Sequence, residues 1–463
     1  MNLPALPLSR RRFLRSSGLA TAAAAAPLIL PSGLRGQNAP SRKITVGIVG
    51  SGNIADSHYG ALLGDENVRI LGVCDVDRER REEGAARVNQ AYGSKDCRAH
   101  ADFRELNRRG DIDTVFICTP DHWHALPLIA AVKAGAHVYV EKPIGHTILE
   151  GRAMVNAARA AGRVVQVGTH RRISPHNISA RDFIRSGQAG EIGMVRCFVH
   201  YNGGPDTPRP TVEVPKELDW DFWCGPAPLR PFNGGDPREN SPGSRGGIHP
   251  RGFRNYLDYA NGTLGDWGIH WFDQILWITG EKHPRKVYST GGRPIAGPVV
   301  STAAAQTTDA PDHQVASYTF DRLTVQWEHR RFAGNNTDKG ENVGCYFYGT
   351  KGIVHVGWQK GWTFYPSNAK DPVVTREARL NQPDSQNIRE LWADFVDAIR
   401  TGRQPVSDIG EAHLATNIAL GMLSLKLGRS IDWDGDKERI AGDEAANKLL
   451  RRDYRKGWEY TTA

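Results

Sequence analysis

Short apolar runs alternate with helix-patterned segments from residue 43 to about residue 168. The runs are Ile44–Val49, Val68–Cys74, 114–118, His137–Val140 and 164–167, and segments 78–91 and 125–134 carry helical spacing between them. Runs apolar on both faces, alternating with helices, predict a parallel sheet covered on both sides. The expected fold class is therefore α/β, with an N-terminal doubly wound, Rossmann-type sheet over residues 42–168.

Beyond residue 168 the texture changes. A helix pattern at 175–186 leads to a strand candidate at 194–201. Residues 202–262 then crowd Gly, Pro, Trp and Arg without periodicity, which predicts a functional loop system rather than core. A helix pattern follows at 266–278. Strand patterns at 315–320, 323–330, 345–349 and 352–356 are joined by turn sequences such as Phe320-Asp321-Arg322. Two helix patterns close the chain at 386–401 and 411–427. The second domain, 169–430, is thus expected to be α/β with an open, mainly antiparallel sheet and helices on one side. Residues 431–463 read as a polar tail.

The first 36 residues belong to neither domain. Ser9-Arg10-Arg11-Arg12-Phe13-Leu14-Arg15 precedes an alanine-rich apolar stretch, 18–30, too short to span a bilayer as a stable helix. This is the pattern of a twin-Arg signal peptide, with an uncleaved anchor as the alternative. Small residues run to Ala26, and Gly36 offers a second cleavage point. A periplasmic or extracytoplasmic location, reached through the twin-Arg export machinery, is the expectation, with no stable membrane anchor after cleavage.

Charge and cysteine usage narrow the classes. The formal +8 falls to 54 basic against 51 acidic residues once the five arginines of the leader are set aside. No basic stripe interleaves with aromatics, so no nucleic-acid partner is expected. The six cysteines form no C-x-x-C pair; Cys74 and Cys118 end apolar runs, and no disulfide framework is expected.

Candidate chemistry begins at Gly50-Ser51-Gly52-Asn53-Ile54-Ala55, between a predicted strand and a predicted helix. The first glycine permits a tight turn and the second a close approach to a pyrophosphate at the helix N-terminus. Asp75, at the end of the second run, can accept hydrogen bonds from ribose hydroxyls, which favours NAD; Arg78 leaves NADP open. Cys118-Thr119-Pro120-Asp121-His122-Trp123-His124 sits at a strand's carboxyl end, where open sheets bind ligands. Its histidines lack a ligand cluster at metal spacing, so no metal is expected. Glu141-Lys142-Pro143 closes another run, where a lysine beside a nicotinamide can stabilise negative charge on a substrate oxygen. Asp266 and His270, four apart, share one helical face; a helix N-cap and a core histidine are the structural alternatives.

Together, Gly50–Ala55, Asp75, Thr119-Pro120, Glu141-Lys142-Pro143 and Asp266-Trp267-Gly268-Ile269-His270 resemble the Gfo/Idh/MocA family of oxidoreductases, from about residue 43 onward. The resemblance implies Lys142, Asp266 and His270 as the catalytic group, with His270 taking a hydroxyl proton as hydride passes to the cofactor. Gly50, Gly52, Asn53, Ile54, Asp75, Thr119, Pro120, His124, Glu141, Lys142 and Arg171 are the expected cofactor contacts. Arg172, His176, Asn255 and Tyr256 are candidate substrate contacts. The implied activity is NAD(P)-dependent oxidoreduction of a sugar, glycoside or cyclic polyol; the export leader adds a cofactor loaded before export and held tightly, and the open sheet face of the second domain a homodimer or homotetramer. Glucose–fructose oxidoreductase carries a tyrosine at the base position, so its sugar pair does not carry over. A second reading is a glycoside hydrolase acting through transient C3 oxidation, like the exported α-N-acetylgalactosaminidases; those lack the lysine. A third is a non-enzymatic, cofactor-loaded sugar-binding protein.

Overall fold

The structure, a computed structural model, describes residues 43–234, 247–380 and 387–460. The export leader and its cleavage points lie outside the described residues. Within them no helix is long and apolar enough to cross a membrane.

The first sheet contains β1 (Ile44–Val49), β2 (Val68–Cys74), β3 (Arg98–His100), β4 (Thr114–Ile117), β5 (His137–Val140) and β6 (Val165–Val167). Its order is β3-β2-β1-β4-β5-β6, and every pair is parallel. Strand order reverses between β1 and β4, and a ligand crevice opens outside their carboxyl ends. Strand β3 and the helix Phe103–Asn107 were not anticipated; both are too short for a periodic signal.

The second sheet has ten strands: β7 (Ile192–His200), β9 (Lys286–Gly292), β11 (His313–Thr319), β12 (Thr324–Arg330), β13 (Val343–Gly349), β14 (Gly352–Gly357), β15 (Trp362–Pro366), β16 (Val374–Arg376), β17 (Ile431–Asp434) and β18 (Arg439–Ile440). A separate pair joins β8 (Arg209–Pro210) to β10 (Ala305–Gln306). The large sheet is antiparallel except where β12 runs parallel to β7. Residues alternate buried and open along β11 and β12, as one covered face requires. The covered face meets the helix Gly262–Thr279 through Trp271, Phe272, Ile275, Tyr318 and Trp327.

Two expectations need correction. The helix Ile388–Thr401 covers the first sheet, not the second, laying Leu391, Trp392, Phe395 and Val396 against the core that holds Phe116 and Tyr139. Its apolar stripe announces a helix but not which sheet it covers. The segment after residue 430 is no loose tail. β17 extends the large sheet beside β9, Trp433, Ile440 and Leu450 are buried in the core, and Trp458 packs edge-on against Trp123, 5.0 Å between centroids. All six cysteines are buried and unpaired.

Candidate active site

The turn after β1 is shaped by Gly50, whose φ is +88°. A Cβ there would lie 2.8 Å from the carbonyl carbon and oxygen of Cys118 at the end of β4. Only glycine fits such a left-handed, crowded position. Gly52 then opens the helix Asn53–Leu62, and Gly52, Asn53 and Ile54 line the cleft. Asp75 accepts from Ser51 N at 2.7 Å through Oδ2 and from Asp77 N at 2.9 Å through Oδ1. The carboxylate is thus anchored against the turn and still lines the cleft, where its remaining lone pairs can meet ribose hydroxyls. Arg78 is half exposed and reaches Glu217 at 3.5 Å. It does not line the cleft; Arg80 does. These features fit a dinucleotide.

The cleft measures about 1560 Å³. That exceeds the roughly 300–1,000 Å³ of a site for one small ligand, leaving room for a second molecule beside the dinucleotide. Gly50, Gly52, Asn53, Ile54, Asp75, Thr119, Pro120, Glu141 and Lys142 line it, as do Asp266, His270 and Asn255.

At its middle, Lys142 Nζ lies 2.6 Å from Asp266 Oδ1 and donates to Asp266 O at 3.2 Å. Arg254 Nε reaches the same Oδ1 at 3.3 Å. Burial alone would raise the Asp266 carboxyl, but Lys142 and Arg254 overturn this and hold it at about 2. The Gly262–Thr279 helix starts a turn earlier than expected, so Asp266 lies within it and is not its N-cap. Glu141 turns inward to accept from His58 Nε2 at 2.8 Å, which bolts the Lys142 segment to the Asn53–Leu62 helix.

His270 is 6% exposed, and among the described residues its Nδ1 has no hydrogen-bond partner. Burial first, then the nearby Lys142, His170 and Arg171, hold its pKa well below the ordinary histidine value. The ring is therefore neutral in the ligand-free cleft and keeps one nitrogen lone pair. Trp267 and Trp358, both facing the cleft, flank it at centroid distances of 6.1 and 5.1 Å. His170 stands edge to face with it at 5.1 Å.

Several expected contacts point elsewhere. His124 bridges two carbonyls, with Nδ1 2.6 Å from Pro143 O and Nε2 2.9 Å from Thr119 O, and fastens the loop behind the cleft. Arg171 is sandwiched between Trp271 and Trp358, 4.6 Å from each ring. Its guanidinium donates to Gln274, Asn177 and the Trp358 and Gly357 carbonyls. Arg172 pairs with Asp273 and Glu411, and His176 Nδ1 accepts from Arg379 N. Tyr256 is fully buried, its hydroxyl accepting from Asn233 at 2.9 Å. Asn255 lines the cleft but is engaged by Arg331 at 2.8 Å. Arg254, Asp121, His170, Trp267 and Trp358, none of them expected from the sequence, also line the cleft or flank its charged centre. Asp121 belongs to the Cys118–His124 segment; it is buried, and among the described residues its Oδ2 meets no partner.

Residues 44–169 match the model "Oxidoreductase family, NAD-binding Rossmann fold", and residues 198–460 match "Oxidoreductase family, C-terminal alpha/beta domain". An inositol 2-dehydrogenase of Saccharopolyspora erythraea is 32% identical over 161 residues, 34% of this chain and 46% of that protein. A glycosyl hydrolase family 109 protein of the same organism is 31% identical over 176 residues, 34% of this chain and 38% of that one. The chain spans less than half the length of the first curated relatives it matches. A levoglucosan dehydrogenase solved with NADH and L-sorbose shares the fold, with a TM-score of 0.63 at 20% identity over 84% of this chain and 99% of that one.

Proposed function

This chain belongs to the Gfo/Idh/MocA oxidoreductase family, and from that premise we propose that it moves hydride between a hydroxyl-bearing carbon of a sugar, glycoside or cyclic polyol and a tightly held nicotinamide cofactor. The observation that carries this reading is the contact of Lys142 Nζ with Asp266 Oδ1 at 2.6 Å, made between the two domains, with His270 one turn further along the same helix.

The dinucleotide, when bound, takes or returns the hydride. The chain's own residues handle the proton and the charge. His270, neutral through burial, accepts the substrate hydroxyl proton in the oxidative direction and returns it in the reverse. Lys142 donates a hydrogen bond to the same oxygen and offsets the negative charge that develops there. Asp266, its pKa held at about 2 and so ionised near neutral pH, orients Lys142 and can accept from a neighbouring hydroxyl. Trp267 and Trp358 give a ring substrate apolar walls, and the names of the inositol 2-dehydrogenase and levoglucosan dehydrogenase support that substrate class. Incubating the chain with NAD and a panel of such compounds tests the reading: reduced-nicotinamide absorbance should rise, and no rise with any of them, with NAD or NADP, would sink it.

Similarity to a glycosyl hydrolase family 109 protein favours a second reading, in which transient oxidation labilises a glycosidic bond and the cofactor is restored. Aglycone release without net cofactor change would select it.

Two further readings accompany the first. The leader directs twin-Arg export to the periplasm; Arg10→Lys with Arg11→Lys should leave the precursor in the cytoplasm. The chain assembles as a homodimer or homotetramer through the open face of the large sheet, which carries Tyr288 and Val315 exposed. A monomer by light scattering would refute this.

A further inference from the structure

The irregular excursion of the second domain spans the cofactor end of the cleft. It has its own small core, including Leu218, Trp220, Trp223, Phe232, Phe253 and Tyr259. It is pinned to the first domain in two places. After β2, Asp77 and Leu218 form a β-bridge, Arg78 N donates to Glu217 O at 2.9 Å, and Asp219 N donates to Val76 O at 3.2 Å. After β4, Trp123 Nε1 donates to Trp223 O at 2.8 Å and His122 Nε2 lies 3.0 Å from the same oxygen. Strands β2 and β4 flank β1 on either side. The excursion therefore bridges the crevice beyond the Gly50–Gly52 turn.

His249 belongs to this bridge. It lines the cleft together with Gly52, Asp75 and Arg80, is 6% exposed, and packs edge-on against Trp223 at 5.6 Å. Both of its ring nitrogens are buried and, among the described residues, meet no hydrogen-bond partner. Native structures satisfy nearly all buried polar groups, so two orphans on one ring, inside a ligand cleft, point to a ligand. Arg80 of the first domain is the charged group that acts on it; Asp75 and Arg251 line the same cleft. Burial, reinforced by Arg80, pushes its pKa down to about 3, so the ring is neutral and offers one N–H and one lone pair. Arg80 Nη1 lies 3.5 Å from where a Cβ on Gly52 would stand, which puts its guanidinium at the phosphate-facing turn.

We propose that His249, with Arg80, grips the pyrophosphate–ribose half of the dinucleotide from the second domain's side, so that the cofactor is enclosed by both domains and leaves slowly. This rests on the reading of the cleft as a dinucleotide site and goes beyond it in assigning a cofactor contact outside the Rossmann fingerprint.

The test uses the full chain and two variants. His249→Phe keeps a ring against Trp223 and removes both nitrogens; His249→Asn keeps a donor and an acceptor. Nucleotide retained per chain is measured after purification without added cofactor. NADH-loaded protein is then chased with excess ADP-ribose, and the decay of nicotinamide fluorescence gives the release rate. Release from His249→Phe should be about tenfold faster than from the native chain, with less nucleotide retained and His249→Asn in between. Where the Phe variant does not fold, faster release from the Asn variant supports the proposal and an unchanged rate overturns it. Equal release from native chain and Phe variant overturns the contact and leaves the dinucleotide reading standing. A native chain that neither retains nucleotide nor takes up NADH overturns both.

Discussion

The two ends of the cleft are held by different means. At the dinucleotide end, backbone does the holding: Gly50 shapes the turn, and the N–H groups of Ser51 and Asp77 fix Asp75. At the chemical end, side chains hold one another by charge: Lys142, Asp266 and Arg254 form one cluster beside a neutral His270. Backbone geometry tolerates substitution of neighbouring side chains, whereas a charge cluster does not. The difference separates holding the cofactor from using it, and Lys142→Met should move the second without the first.

The largest effect is expected from Lys142→Met. It removes the donor to the substrate oxygen, and kcat should fall about 100- to 10,000-fold, as for loss of a proton-handling or charge-stabilising group. The nucleotide retained per chain should stay unchanged; a matching loss of nucleotide would mean that the two ends are not separate.

Arg171→Met sharpens the contrast from the other side. An arginine expected to touch the cofactor instead fills the slot between Trp271 and Trp358. Its loss leaves the Gln274 side-chain oxygen and the Trp358 and Gly357 carbonyls without this donor, each costing about 1–3 kcal/mol, while Asn177 Oδ1 keeps the hydrogen bond from Gln274 Nε2. Denaturant melts should show about 3 kcal/mol or more of destabilisation, while NADH release from the folded variant matches the native rate.

The third prediction concerns acid. His170 and His249 are held at about 3 in the folded chain, by burial first and then by Arg171 and Arg80 respectively. A histidine with a depressed folded pKa stabilises fully above its unfolded value of about 6.5 and loses that contribution as pH falls towards the folded value. Thermal melts should therefore lose about 1.4 kcal/mol per pH unit for each of them between about 6.5 and 3. Asp266, depressed to about 2, loses its contribution only below about 3.9, so the upper part of this window belongs to the histidines. His249→Phe should remove one share of the slope, and an unchanged slope would contradict its burial as a neutral ring.

The smallest effect is at the substrate wall. Trp358→Leu removes an aromatic partner of His270 and Trp267. An aromatic contact of about 0.5–1.5 kcal/mol corresponds to a KM increase of roughly two- to tenfold with kcat nearly kept. A fall in kcat alone would assign Trp358 to positioning His270.

What could be read from the sequence was local. The Gly50–Ala55 turn, Asp75 and the Glu141-Lys142 pair each sit at a strand end, where position in the sheet dictates direction. Asp266 and His270 were legible because helical spacing puts them on one face. Side-chain direction in irregular backbone was not legible. In the turn His170–Ile173, His170 faces His270 while its neighbours Arg171 and Arg172 face the second-domain core. In the turn around Gly252–Asn255, Arg254 reaches Asp266 and Tyr256 is buried behind it. Trp358 follows β14, far along the chain, and only the folded sheet brings it to His270. The helix Ile388–Thr401 showed its stripe but not its partner.

The most direct test is a single-turnover experiment on the nucleotide-loaded chain and its His270→Ala variant, mixed with a sugar or cyclic polyol that the native chain oxidises. The account predicts prompt formation of reduced nicotinamide by the native chain. In His270→Ala the rate should fall about 100- to 10,000-fold with the bound nucleotide unchanged. Equal rates in the two proteins, or nucleotide lost together with activity, would contradict the separation of holding from chemistry.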